Sequence, residues 1–378
     1  MLADAARCVK CGLCLAECPT YALSASEALS PRGRIALIQA LDAGQLPADG
    51  HGAEILGSCL LCRRCEAVCP SAVPFARLMD QGRAQLRGRL SRRERWLPAL
   101  LSRPTLSRRL LWLGRLLPKS SSLGRVARQA SAVATSLKPL YRPKEGEVRG
   151  RVGLFTGCTG ELLDAPALEA ALALLLAAGY EVAVPEGQGC CGALDAHAGN
   201  AARAGALMER NRAAFAGAGR LDAILSIATG CGAWLGDQQN PPAPHEDICA
   251  FLAREEVLAR LRFHPLRAVV AVHLPCSLVN VLKTEQAVLH LLEKVPDLQV
   301  REIGRRGGCC GAAGTAAILR PGMARELRQP LLDELDDLGP DLVVSSNPSC
   351  RLHLADGDDS GANHLHPLVL LAQQLVRE

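Results

Sequence analysis

Eight cysteines between positions 8 and 69 stand in two matched runs. The first reads Cys8-Val-Lys-Cys11-Gly-Leu-Cys14-Leu-Ala-Glu-Cys18-Pro19, the second Cys59-Leu-Leu-Cys62-Arg-Arg-Cys65-Glu-Ala-Val-Cys69-Pro70. Both follow C-x2-C-x2-C-x3-C-P, a spacing that ligates [4Fe–4S] cubes. Three thiolates on a tight turn cap three irons of one cube, and the fourth points away to the other cube. Cys8, Cys11, Cys14 and Cys69 are therefore expected to hold one cluster, and Cys59, Cys62, Cys65 and Cys18 a second. A disulfide framework would suit a secreted domain. No secretory leader precedes Cys8, so a reducing, cytoplasmic setting is expected instead. Zinc accepts C-x2-C as well, but does not need this four-cysteine run twice with a proline after each.

A second cysteine pattern lies downstream, and it is duplicated. Arg151-Val-Gly-Leu-Phe-Thr-Gly-Cys158 corresponds to Val269-Val-Ala-Val-His-Leu-Pro-Cys276, and Gly189-Cys190-Cys191-Gly192 to Gly308-Cys309-Cys310-Gly311. Cys231 corresponds to Cys350. The offsets are 118 or 119 residues throughout, so the region is a repeated module. Short apolar strands at 151–156, 180–185 and 223–228 alternate with helices at about 161–178 and 197–217. Strands near 268–274, 298–303 and 342–346 repeat the order. Such alternation predicts parallel, doubly wound sheets. Each cysteine then falls just past a strand, at the carboxyl edge where open α/β sheets bind ligands.

Cys158, Cys190, Cys191 and Cys231 are thus expected to converge, as are Cys276, Cys309, Cys310 and Cys350. Four thiolates can hold an iron–sulfur cluster or zinc, or act as a reactive dithiol; the adjacent pairs could also close as vicinal disulfides. The flanking glycines (Gly189, Gly192, Gly308, Gly311) let the backbone turn sharply. Cys249 lies outside both sets and reads as a core residue. His273 and His353, nearest the motifs, read as satisfied loop or core side chains.

The elements that must position these residues suggest an α+β, multidomain chain. A mostly helical two-cluster ferredoxin-like domain occupies 1–85 and a basic helical connector 86–148. Two α/β modules follow, at 149–262 and 263–378. Between the cysteine runs, Pro31-Arg32-Gly33-Arg34-Ile35 leads a helix over Ile35–Leu41. Arg32 and Arg34 either donate toward an anionic cluster or form a solvated or fold-stabilising pair. In the connector, 17 Lys and Arg stand against three acids between Arg87 and Arg151, while the rest of the chain is net acidic. Leucines and tryptophans interleave with these arginines in short amphipathic helices cut by Pro104 and Pro118. Three uses are open: an anionic membrane surface, an acidic partner, or packing on the chain's own acidic domains. Aromatic residues are only 3%, too few for base-stacking surfaces, and no nucleic-acid reader fold accompanies the charge. No apolar run reaches the roughly 18–20 residues of a membrane span; Ala170–Gly179, bounded by Glu169 and Glu181, reads as one buried helix.

Taken together, the two cysteine runs, the Pro31–Ile35 element and the two Cys-Cys-Gly modules resemble the iron–sulfur subunit family of bacterial glycolate oxidase over nearly the full chain. The endings Thr229-Gly-Cys-Gly-Ala233 and Asn347-Pro-Ser-Cys350 belong to the same likeness. Related families serve lactate utilisation, anaerobic glycerol-3-phosphate oxidation and heterodisulfide reduction. The resemblance implies an electron-transfer subunit. FAD-containing partner chains oxidise glycolate or D-lactate, and electrons pass through this chain to a quinone or other carrier. It also implies two [4Fe–4S] clusters, with a further iron–sulfur cluster or zinc in the cysteine-rich modules, and a cytoplasmic location, peripheral to the membrane's inner face. No G-x-G-x-x-G follows a strand here, consistent with flavin on other chains. One departure concerns the heterodisulfide-type ending C-x-x-C. Its first position is Ala228 in one module and Asn347 in the other, leaving four cysteines each. The alternative function is a thiol–disulfide reductase acting through Cys190/Cys191 or Cys309/Cys310.

Overall fold

Ser30 and Pro31 open the helix between the two cysteine runs. The Ser30 hydroxyl accepts from the Gly33 N–H, and Pro31 occupies the first turn, where its missing N–H costs nothing. The helix runs Pro31–Asp42 and so begins earlier than the apolar spacing alone indicates. In this computed structural model, residues 2–118, 124, 127–128, 137–144, 146–238, 240–304 and 308–376 are described. The two cysteine runs share one backbone path. Lys10 (φ 56°) and Leu61 (φ 52°) are left-handed at equivalent positions, as are Gly12 (φ 90°) and Arg63 (φ 58°). Left-handed backbone costs a non-glycine residue about 1–2 kcal/mol, so three such residues mark a turn imposed by something other than local preference.

The modules follow the duplication. The first sheet has strands β1 (Leu140–Tyr141), β2 (Gly150–Phe155), β3 (Tyr180–Ala183), β4 (Ala223–Ser226) and β5 (His245–Asp247), in the order β1-β3-β2-β4-β5. The second has β6 (Ala268–His273), β7 (Leu298–Ile303), β8 (Leu342–Val344) and β9 (Asn363–Leu365), in the order β7-β6-β8-β9. Pairing is parallel from β3 to β5 and throughout the second sheet. β1 is the addition: it runs antiparallel to β3 and has no counterpart in the second sheet. It arises inside the expected connector, where two residues between Pro139 and Pro143 carry no readable period. The helix expected over 161–178 is two, Gly157–Leu163 and Ala165–Ala177, because Pro166 cannot continue a helix from upstream. The helix expected over 197–217 is Ala201–Ala216, preceded by a short Ala193–His197 turn of helix.

One apolar core runs through both sheets, from Val152 and Leu154 to Val270, Leu291 and Leu371. Ala165–Ala177 packs against the final helix, Pro367–Gln374. Arg351, from the second module, donates to the Leu163 carbonyl and to buried Asp164 in the first.

Asp247 caps the Ile248–Leu252 helix through one oxygen, while the other is buried without a partner. Burial pushes its carboxyl up to about 7. Its folded pKa lies above the unfolded value of about 3.9, so the folded state holds an extra proton between those limits. Stability attributable to Asp247 is therefore present below pH 4 and lost as pH rises to 7. Asp247→Asn keeps an acceptor for the cap but removes the charge. Urea unfolding at pH 8 should show the variant more stable by about 4 kcal/mol, with no difference at pH 4. Equal midpoints at pH 8 would contradict this account.

The described part of the connector forms Arg92–Leu101, with a Ser91–Glu94 capping box, and Pro104–Gly114. Pro104 starts a helix as expected of an N1 proline, and Pro98 lies within the first helix without ending it. Residues 119–123, 125–126 and 129–136 of the expected connector lie outside the described residues. The first helix is clamped to both modules: Arg320 pairs with Glu94 at 2.6 Å, and Arg203 donates to the Ser102 hydroxyl at 2.6 Å. Packing on the chain's own domains thus accounts for part of the connector. Trp96, Trp112 and Leu116 stay exposed on it, at 70%, 64% and 76%.

Candidate metal centres

Cys8, Cys11, Cys14 and Cys69 line one recess, closed on one side by Ile35, Val73 and Phe75. It opens toward solvent at Cys11, with Val9 and Leu13 exposed beside it. Burial raises the Cys14 thiol, opposed by the Arg32 backbone N–H. Cys59, Cys62, Cys65 and Cys18 gather more deeply, with Cys18 and Cys65 buried. Burial pushes Cys62 up to about 11, and nearby Cys59 and Cys18 add to it. Cys65 is raised further, first by burial and then by Cys59 and Cys62. Thiolates so buried and so close ionise together only beside a cation, and an all-sulfur donor set suits iron–sulfur chemistry or zinc. The residues present therefore fit the clusters.

Arg32 and Arg34 lie in the first turn of the Pro31–Asp42 helix, and both act on the fold. Arg32 pairs with Glu27 on the surface at 2.6 Å and donates to the Lys10 carbonyl in the first run. Arg34 is buried and donates to the Ile55 and Leu29 carbonyls, Ser58 Oγ and Thr20 Oγ1. Thr20 Oγ1 lies 3.2 Å from Cys18 Sγ. Arg34 thus braces the loop of one expected ligand from behind.

In the first module Cys191 Sγ donates to Cys231 Sγ at 3.4 Å, and Cys158 and Cys190 are close enough to shift each other's titration. Thiol hydrogen bonds from Cys158 and Cys191 pull Cys190 down, and those two partners rise in turn. In the second module Cys310 bonds Cys350, and Cys276 and Cys309 lie beside them. Burial raises Cys276 to about 12 and pushes Cys309 well up too. All seventeen cysteines are free, so neither Cys-Cys pair is a disulfide. Among the described residues, no three or more His, Cys, Asp and Glu side chains close around a point as a mononuclear site does.

The trailing glycines are the ones the turn requires. Gly192 and Gly311 are left-handed (φ 92° and 73°), and a Cβ there would meet the Ala204 and Ala324 carbonyls at 2.9 and 2.2 Å. Their N–H groups donate to Cys190 Sγ and Cys309 Sγ. Gly189 and Gly308 are not left-handed. The first turn is held by Asn211, buried on the Ala201–Ala216 helix, which accepts from the Gly189 N–H and donates to the Cys190 carbonyl. Cys249 is fully buried in the apolar core. His273 bonds Ser345 Oγ at 3.0 Å, and His353 meets the Ala324 carbonyl.

Contacts between segments set the order of the sites. Asn280 Nδ2 donates to the Cys62 carbonyl at 2.8 Å, and Arg64 donates to the Gly308 carbonyl, beside Cys309, at 3.0 Å. The two bonds hold the second ferredoxin-type loop against the second module, and the charge of Cys62 raises both Cys276 and Cys309. On its other side, Arg83 spans the carbonyls of Leu56, Cys59 and, in the first module, His197. Asn211, Asn280 and Arg83 had no signal in the cysteine spacing. A polar residue on an otherwise buried helical face was the only hint, and it does not say what the residue holds.

Cysteines on ferredoxin-type turns, joined to paired sheets with sulfurs at their carboxyl edges, define an iron–sulfur protein. Comparison with known proteins agrees: residues 4–73 match the 4Fe-4S dicluster domain family, and residues 152–236 and 270–355 each match the cysteine-rich domain family. The chain is 32% identical to the glycolate oxidase iron-sulfur subunit of Escherichia coli, over 98% of this chain and 94% of that one. It is 31% identical to the probable glycolate oxidase iron-sulfur subunit of Bacillus subtilis, over 93% and 88%. A subunit of the fumarate reductase (CoM/CoB) of Methanothermobacter marburgensis is 32% identical over 54% of this chain and 42% of its own. The chain belongs to the family of glycolate oxidase iron–sulfur subunits.

Proposed function

We propose that this chain is the electron-transfer subunit of a 2-hydroxy-acid dehydrogenase, with glycolate as substrate and D-lactate as the alternative. FAD-containing partner chains would oxidise the acid, and a quinone or other carrier would take the electrons. Residues 1–85 would hold two [4Fe–4S] clusters, one on Cys8, Cys11, Cys14 and Cys69 and one on Cys59, Cys62, Cys65 and Cys18. The modules' cysteines would hold a further iron–sulfur cluster or zinc. Such clusters supply one-electron redox chemistry over a span of about −700 to +450 mV.

The observation that carries the reading is the pair of hydrogen bonds, Asn280 to the Cys62 carbonyl and Arg64 to the Gly308 carbonyl, that tie the Cys59–Cys65 loop to the second module's cysteine turn. They support an order of sites from an exposed end at Cys11 to a buried one at Cys350. The thiol–disulfide alternative is favoured by the lowered Cys190 thiol, since a thiolate is the nucleophile. Cys190 is only 3% exposed, however, which works against attack on a free substrate.

Peripheral membrane association belongs to the same proposal. No helix among the described residues is long and apolar enough to cross a membrane. Exposed Trp112 on the basic Pro104–Gly114 helix and Leu116 just past it suit an anionic surface instead.

Anoxic purification of the tagged chain from its host tests the proposal. Flavin should co-elute, and glycolate or D-lactate should bleach the broad visible absorbance. The same preparation should sediment with anionic but not with neutral vesicles. Brown protein without flavin, unmoved by either acid, would overturn the dehydrogenase assignment.

A further inference from the structure

The two ferredoxin-type turns are alike in backbone and opposite in surroundings. Both pass through left-handed residues at matched positions, Lys10 with Leu61 and Gly12 with Arg63. The second turn is covered by the chain itself. Leu60 is 9% exposed and packs with Cys309, Ala316 and Leu327 of the second module. Arg64 donates to the Gly308 carbonyl, and Asn280 donates to the Cys62 carbonyl. Arg63 pairs with Asp237 of the first module at 2.6 Å. In the shared spacing, Val9 stands where Leu60 does, Cys11 where Cys62 does, and Leu13 where Arg64 does.

The same positions of the first turn are bare. Val9 and Leu13 are 69% and 58% exposed on either side of Cys11. Lys10 between them is exposed as well. Among the described residues, which include all seventeen cysteines, Cys11 is the one exposed cysteine. A single exposed apolar side chain is ordinary. Here two flank the one accessible ligand candidate, on a turn whose twin is sealed. The sealed twin shows what such a face receives. A folded surface covers the residue after the first cysteine with apolar groups and supplies a carboxylate to a cation on the turn.

We infer that Val9, Lys10 and Leu13, around Cys11, form the docking surface for the flavin-bearing partner chain. That chain would bring an apolar patch to Val9 and Leu13 and a carboxylate to Lys10, as Asp237 serves Arg63. A flavin held in another chain reaches this one only across a surface, and electron transfer falls steeply with distance. The exposed cysteine is therefore where that chain must come. The partner's identity rests on the relay proposed above, whereas the surface rests on the matched turns.

Leu13→Asp and Val9→Asp put a charge at exposed positions and leave every cysteine in place. Iron content and the low-temperature EPR spectrum of the anoxically purified chain should match wild type. Flavin co-eluting with the tagged chain should fall about tenfold or more. Val148→Asp, at an apolar position 45% exposed elsewhere on the chain, should keep its flavin. A photo-crosslinker, Leu13→p-benzoylphenylalanine, should join this chain to one that carries flavin, identified by mass spectrometry. Wild-type flavin content in both aspartate variants would overturn the surface and leave the relay standing. If the aspartates cost iron, the crosslink decides: an adduct with the flavin chain upholds the surface, and none overturns it. An adduct with a second copy of this chain, or with a chain lacking flavin, overturns it as well. A flavin chain that docks at Leu13 but is reduced by neither glycolate nor D-lactate keeps the surface and removes the dehydrogenase assignment.

Discussion

Cys62→Ser is expected to divide the chain electrically while leaving it folded. The substitution removes one sulfur from the deeper set and leaves Cys8, Cys11, Cys14 and Cys69 untouched. About half of the ferredoxin-type iron should be lost, since the two proposed cubes would carry equal iron. Its backbone carbonyl, held by Asn280, is still present, so the loop keeps its place against the second module. Acid added to the anoxic complex should reduce the flavin and bleach only the surviving set, and turnover with an external acceptor should fall to the level of the partner chains alone. Iron analysis and low-temperature EPR of the reduced protein read the first effect, and steady-state assay the second. Wild-type turnover in a variant that has lost the iron would mean that electrons leave by another route, and the proposed order of sites would be wrong.

Arg83→Met should have the largest effect on stability of any substitution away from the cysteines. Arg83 is buried, and its guanidinium spans the carbonyls of Leu56, Cys59 and His197. Burial lowers its pKa, and nearby Cys59 works against that shift. Methionine fills much of the volume but leaves the Cys59 and His197 carbonyls without a donor, while the Leu56 carbonyl keeps the Cys59 N–H. Each buried unsatisfied carbonyl costs about 1–3 kcal/mol, so a loss of roughly 3–5 kcal/mol is expected. Arg83→Lys keeps the charge without the planar fork and should recover only part of it. Denaturant unfolding under anoxic conditions measures the loss. Proteolysis should cut the Cys59–Cys65 loop first, because it is the segment released. A variant with wild-type midpoint and protection would show that the loop is held by its metal rather than by Arg83.

Both experiments act on contacts that cross between segments far apart in the chain, and that is where sequence reading stops. The cysteine runs are legible because metal chemistry prescribes their spacing, and the modules because a repeat near 119 residues preserves strand order. Equivalent left-handed residues at Lys10 and Leu61 follow from the same constraint, although neither type announces it. By contrast, Asn280 reaches Cys62 across 218 positions, and no local pattern marks one asparagine out for that role. β1, β5 and β9 escape for a different reason. They are two or three residues long, so they exist through their neighbours rather than through any alternation of their own. Pro166 could have been read as a break in the helix expected over 161–178, but the apolar run through Ala177 obscured it.

The shared core also sets a timetable. Ala165–Ala177 is buried along most of its length, and part of its cover is Pro367–Gln374, a helix made long after it. Domains usually form in the order of their synthesis, yet the first module cannot close until that later helix has emerged. Until then its apolar helix and the loop bearing Cys190 and Cys191 stay open to chaperones and to iron donors. Residues 2–90, whose core is separate, can fold long before. Cofactor loading of this chain therefore falls into two episodes, one early and one after the second module is made.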